Sequence, residues 1–183
     1  SARTFSRTDV KSPSVASARW PAPKRPARPA TCPRKNAHVF AGWKAMRHNR
    51  LKALGALYWY TVEFGLILEQ AGLRAYGAGI LSGPAEAVFC LEAESPNRIM
   101  LNVDRVMRTD YVIDDLQPSY FVIESFKELY HDTVERDFDR LYRSLAPGFT
   151  YANSAVIDID DVLHRGTQEY FLRGGRGSGA RPV

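Results

Sequence analysis
The sequence predicts an α+β fold in which helix predominates. Three observations carry that expectation. A long apolar run lies about a third of the way along the 183 residues, two short strand-like runs follow it, and a helix-start signature follows the second of these.

The elements can be justified in order. The window 57–68, LYWYTVEFGLIL, has nine apolar or aromatic residues in twelve. At helical period it reads as the middle of a helix from about Arg50 to Gln70. Ala71-Gly72 is the expected stop, with Gly72 suited to a left-handed cap. Residues 73–82 are punctuated by glycine and read as a turn into a short extended piece. AVFCLE (87–92) and YFVIE (120–124) have strand character. Ser125 with Glu128 three residues on forms a capping box for a helix running to about Asp132. Residues 137–145 offer a short amphipathic helix. From Pro147 onward the chain reads as irregular, and the glycine-rich stretch 174–179 reads as a frayed end. Gly77, Gly79 and Gly83 follow a helix at G-x-G-x-x-x-G spacing, which is not a dinucleotide-binding loop.

Charge divides the chain. Residues 1–50 carry twelve Lys and Arg against Asp9, a balance of +11, while residues 51–183 have a balance of −6. Six of the eleven prolines lie between Pro13 and Pro33. A segment of that composition cannot bury a core, so residues 1–38 read as a disordered basic leader or as an out-of-frame stretch. Residues 39–172 read as the folded domain and 173–183 as a disordered Gly/Arg tail. Cys32 and Cys90 imply no disulfide framework, which fits a reducing cytoplasm. No apolar run is long enough to span a bilayer, so no membrane partner is expected. The leader's charge alone is a weak reason to invoke nucleic acid.

Glu63 is the one carboxylate inside the apolar window. On a helix, Trp59 and Tyr60 would lie one turn before it and Leu66 and Ile67 one turn after. An ionised carboxylate in such surroundings costs several kcal/mol unless a cation answers it, so a positive partner is expected beside Glu63. By contrast, Asp110, Asp114 and Asp115 read as solvated or capping residues. Asp158, Asp160 and Asp161 lack the glycine and terminal glutamate of a calcium loop and read as a solvated acidic patch.

The blocks ALYWYTVEFGLI, LRAYGAGILS and RVMRTDYVIDDLQPSYFVIESF are similar to the biopterin-dependent aromatic amino acid hydroxylases, in particular to the single-domain bacterial phenylalanine 4-hydroxylases. The resemblance is dense from Leu51 to Tyr142 and continues through VLHRGTQEY near His164. It implies the catalytic-domain fold of that family, in its C-terminal part and incomplete. It also implies an iron- and pterin-dependent monooxygenase that converts phenylalanine to tyrosine with molecular oxygen, using Fe(II) and tetrahydrobiopterin.

Carried over by position, Glu63 is the carboxylate ligand of the iron and Tyr58 stands beside the metal and pterin. Trp59 lines the substrate pocket, with Gly79 and Ser82 forming its wall and polar edge. Gly83 stands where the family has a second serine, and Glu86 matches a structural glutamate. Tyr120 lies near the mouth of the family's site but reads as a strand residue. The family's two ligand histidines lie in an upstream H-D-x-x-G-H-x-P motif, which does not occur in this sequence. His38 and His48 read instead as surface histidines. The alternative to an enzyme is therefore a non-catalytic relative that binds aromatic amino acids weakly or serves in assembly.

Overall fold
The computed structural model describes residues 37–148 and 150–175; the expectations for the leader up to residue 36, including Cys32, and for the tail from residue 176 lie outside the described residues. The chain opens with α1 (Ala37–Arg47) and α2 (Leu51–Tyr58). Asn49, with φ of 54°, makes the corner between them. The predicted helix does not continue to Gln70. Trp59–Glu63 widens into a π-turn, where the Phe64 N–H donates to the Trp59 carbonyl at 2.8 Å. The chain then enters β1 (Leu66–Glu69), which hairpins into β2 (Gly72–Ala75).

Two causes end the helix. Gly65 sits where a Cβ would fall 2.3 Å from the Thr61 carbonyl and from the Tyr76 ring, so the backbone closes on itself there. Leu66 and Ile67 are then captured by parallel pairing with Val122 and Ile123. An apolar run serves a helix or a buried strand equally well, and tertiary pairing decides between them. Gly72 has the expected positive φ, +106°, but in the hairpin turn rather than at a helix cap.

The expected strand AVFCLE is also overturned. Pro84–Glu92 forms α4, with Pro84 in its first turn and Glu86 near its positive end. A short α3 (Ala78–Ser82) precedes it. The remaining elements are β3 (Asn97–Met100), α5 (Val103–Val106), β4 (Ser119–Ile123), α6 (Phe126–Val134), α7 (Phe138–Ser144), β5 (Val162–His164) and α8 (Glu169–Leu172). Ser125 caps α6 by accepting the Glu128 N–H at 3.1 Å, and Asp137 caps α7. Both helices match their sequence expectation. Gly174 and Gly175 return hydrogen bonds to Phe171 and Tyr170 and close α8; the rest of the stretch read as a frayed end lies outside the described residues.

The sheet has the order β2-β1-β4-β3-β5, with parallel pairs at its centre and antiparallel strands at its edges. β4 is buried on both faces, as a near-continuous apolar run in a central strand should be. Its side chains divide two cores. Phe121 packs with Tyr60, Ile99, Val106, Phe138 and Tyr142; Tyr120 and Val122 pack with Leu66, Ile80 and Cys90.

The acidic patch is only partly a patch. Asp158 and Asp161 are exposed, but the Asp160 carboxylate is 1% exposed and pairs with Arg105 at 3.0 Å. Arg105 also donates to Thr109 and to the Ala155 carbonyl, and its guanidinium lies 4.6 Å from the Tyr151 ring centre. Burying an arginine requires that its donors be met, and these partners meet them. Asp110 and Asp115 are likewise engaged: Asp110 pairs with Lys52, and Asp115 accepts the Tyr170 hydroxyl at 2.8 Å. Among the described residues no helix is long and apolar enough to cross a membrane.

Candidate functional site
The π-turn gathers most of the side chains singled out in the sequence. A π-turn inserts one residue into a helical ladder and re-aims the side chains that follow, and such turns are frequent at functional sites. Here it swings Glu63 away from the helical face on which the sequence placed it. Leu66 and Ile67 lie on β1 and are not its helical neighbours. Glu63 is half-buried, so part of its hydration survives.

The cation expected beside Glu63 is not there among the described residues, where no Lys, Arg or His forms an ion pair with it. Its partner is the phenol of Tyr58. The phenol lies close enough that hydrogen bonding to the Glu63 carboxylate, and then the carboxylate's charge, hold the Tyr58 pKa above its usual 10.

Backbone proximity holds the turn in place. A Cβ on Gly77 would sit 2.3 Å from the Glu63 carbonyl oxygen, and one on Gly79 would meet the Phe64 ring at 2.9 Å. The N–H groups of Tyr76 and Gly77 donate to the Gly65 carbonyl. The YGAGILS block therefore lies directly against the carboxylate's backbone. Ser82 is exposed, and its hydroxyl donates to the Gly79 carbonyl at 2.9 Å.

Trp59 is half-buried in an aromatic cluster. Its ring stacks on Tyr111 (4.9 Å between centroids, 23° between planes) and lies 4.7 Å from Phe64. Its indole N–H donates to the Gln117 side chain at 3.1 Å. Tyr60, one residue on, is fully buried in the adjoining core and donates to the Asp110 carbonyl at 2.6 Å. Glu86 is buried behind the cluster, accepting from the Tyr120 hydroxyl and from the Gln117 backbone N–H at 3.3 Å. Burial and the Glu86 charge push the Tyr120 phenol far above its ordinary pKa. Tyr120 is thus an inward strand residue bound to Glu86, as its strand reading anticipates.

The structure brings Tyr58, Trp59, Glu63 and Gly79 together around one turn, with Ser82 at the end of α3 beside it. Sequence reading missed Phe64, Gly77, Tyr111 and Gln117. Tyr111 and Gln117 belong to the block RVMRTDYVIDDLQPSYFVIESF, whose spacing carries no catalytic pattern. Their role becomes visible only when the loop before β4 folds over the π-turn.

A facial iron triad takes two imidazoles and one carboxylate. The described residues offer Glu63 as a candidate carboxylate but gather no group of three His, Cys, Asp or Glu able to hold a metal ion. His48 is tied to Asp139 at 3.1 Å and His164 to the Glu94 carbonyl at 3.3 Å, while His131 is exposed beside Asp132. The side chain of His38 lies outside the described residues. The described residues therefore do not make a complete iron site.

Comparison with known proteins agrees with the fold and with the block resemblance. The profile of the biopterin-dependent aromatic amino acid hydroxylases matches residues 44–163. Phenylalanine-4-hydroxylase of Ralstonia nicotianae is 50% identical over 133 residues, which are 73% of this chain and 42% of that protein. The Caulobacter vibrioides protein of the same name is 49% identical over 144 residues, 79% of this chain and 49% of that one. The crystal structure of Chromobacterium violaceum phenylalanine hydroxylase with iron and phenylalanine bound superposes with a TM-score of 0.66 at 46% identity. That match covers 69% of this chain and 47% of the other. The chain spans about half the length of the curated relatives it matches. By profile, identity and fold together, it belongs to the biopterin-dependent aromatic amino acid hydroxylase family.

Proposed function
We propose that this chain presents the carboxylate ligand and the aromatic wall of a phenylalanine 4-monooxygenase. The activity would use Fe(II) and tetrahydrobiopterin, with phenylalanine and molecular oxygen as substrates. The observation that carries the reading is the π-turn itself. It sets Glu63 beside Tyr58 and four residues after Trp59, against the glycine-lined backbone of residues 77–79. In this reading Trp59 forms the wall against the substrate ring and Gly79 lets backbone approach it closely. The exposed Ser82 hydroxyl offers a hydrogen bond to the amino acid's charged end, and Tyr58 stands at the carboxylate. Residues 39–172 are the hydroxylase region.

A second reading has one observation in its favour: among the described residues Glu63 is a lone carboxylate with no metal cluster around it. In that case the chain binds aromatic amino acids without turning them over. Equilibrium dialysis of Fe(II) against the full chain and against Glu63→Gln separates the two. One tight iron per chain, lost in the variant, followed by tyrosine formation with tetrahydropterin and phenylalanine, supports the monooxygenase. Iron no higher than the variant's background supports binding without turnover.

A further inference from the structure
Gln117 is fully buried, and every polar atom of its side chain has a partner. Its Nε2 donates to the Val112 carbonyl at 2.7 Å and to the Asp115 carbonyl at 3.1 Å. Those two acceptors fix the amide's orientation, because a flipped amide would set its oxygen against two carbonyl oxygens. The oxygen Oε1 must then face Trp59, whose indole N–H it accepts at 3.1 Å. The amide is anchored from behind as well, since its own backbone N–H donates to Glu86, and Glu86 also takes the Tyr120 hydroxyl.

The same loop supplies Tyr111, stacked on the Trp59 ring. The loop is pinned at its far side by the bond from the Tyr170 hydroxyl to Asp115. An indole turns softly about the bond to its ring. Here the turn is stopped by one hydrogen bond at the ring's edge, by the stacked Tyr111 ring and by the tilted Phe64 ring.

We propose that Gln117 is a positioning residue for the aromatic substrate site: it holds the Trp59 indole in one orientation, and so governs how tightly the ring of an aromatic amino acid is held. This rests on the reading that Trp59 faces the substrate. The loss of one such hydrogen bond predicts a roughly five- to tenfold weaker affinity for phenylalanine.

The test uses the full chain labelled with 15N, in which Trp20, Trp43 and Trp59 give the indole N–H signals and Trp59→Phe assigns that of Trp59. In the unmutated chain the Trp59 N–H should exchange with solvent at least tenfold more slowly than that of Trp43, which is 54% exposed. Exchange as fast as Trp43's overturns the proposal without any substitution. In Gln117→Leu the Trp59 signal should move and lose its protection, and phenylalanine should bind more weakly by calorimetry. In the Trp59→Phe background the same Gln117 substitution should cost no further affinity. An equal loss in both backgrounds overturns the proposal and makes Gln117 merely structural. A chain that binds no phenylalanine, and whose Trp59 signal ignores it, overturns the substrate reading of Trp59 and the proposal's substrate clause together. Intact binding that is insensitive to Gln117 overturns the proposal alone.

Discussion
The clamp around Arg105 and the π-turn at Glu63 both draw a charge toward the core, and they treat it in opposite ways. Arg105 and Asp160 are each 1% exposed at the side chain, and the arginine's remaining donors reach Thr109 and a carbonyl. Nothing in that cluster is left for a ligand. Glu63 keeps access to solvent, and among the described residues it forms no ion pair, only a contact with the Tyr58 phenol. A fully matched charge ties elements together. A half-matched one, set against backbone that only glycine can approach, is a candidate for chemistry. The difference separates architecture from candidate chemistry. Sequence spacing set Asp160 in a solvated patch and a cation beside Glu63; the structure encloses Asp160 against Arg105 and brings Glu63 no cation among the described residues.

The strongest way to break the comparison is at the clamp. Asp160→Ala leaves the Arg105 guanidinium buried without its counter-charge and removes the acceptor of the Ile157 N–H. Urea denaturation should show a loss of about 3–5 kcal/mol. A loss under about 1 kcal/mol would mean the pair is not the enclosed charge described here.

Gly77→Ala comes next. Its Cβ would press on the backbone of Glu63 and Gly65, with no flexible side chain able to yield. A cost of about 1–3 kcal/mol is expected by the same measurement, with Glu63 displaced. Gly42→Ala, where a Cβ meets nothing within 4 Å, is the control and should not destabilise.

The smallest effect sharpens the other side. Glu63→Gln should leave the denaturation midpoint essentially unmoved, since no cation is stranded by it. It should still lower the Tyr58 pKa toward its ordinary 10, because the charge is gone and the amide oxygen left in its place is a weaker acceptor. Tyr58 is 52% exposed, so tyrosinate absorbance can follow it. The sign is definite: a raised pKa favours the protonated phenol in the folded protein. The small linked stability is present below pH 10 and is lost as pH rises through the folded value. An unchanged Tyr58 titration in the variant would remove the Tyr58–Glu63 bond from the description of the site.

Three of the helices, α2, α6 and α7, were legible from local chemistry. Ser125 with Glu128, and Asp137 before its apolar run, mark helix starts because their side chains satisfy backbone donors within a few residues. β4 was legible because a strand buried on both faces needs an apolar run. The misreadings share one cause. AVFCLE and the second half of the long apolar window are runs whose hydrophobicity fits either element. For β1 the choice was made by partners far along the chain, Val122 and Ile123; for α4 it was made by Pro84 and Glu86 in the first turn. In the candidate site, Tyr58, Trp59, Glu63, Gly79 and Ser82 could be named from motif blocks. Gln117 and Tyr111 could not, because nothing in their spacing announces a contact 50 or more residues away.

By itself, then, the sequence determined the family, the Ser125 helix cap, the strand at 120–124 and the choice of Glu63 as the candidate carboxylate, since each is written in contiguous residues. Only the tertiary structure decided that the long helix breaks into a π-turn and a strand, that Asp160 is enclosed while Glu63 is not, and that a buried amide holds the indole. Those outcomes depend on which distant groups arrive to satisfy a donor, an acceptor or a charge, and local sequence carries no record of distance in space.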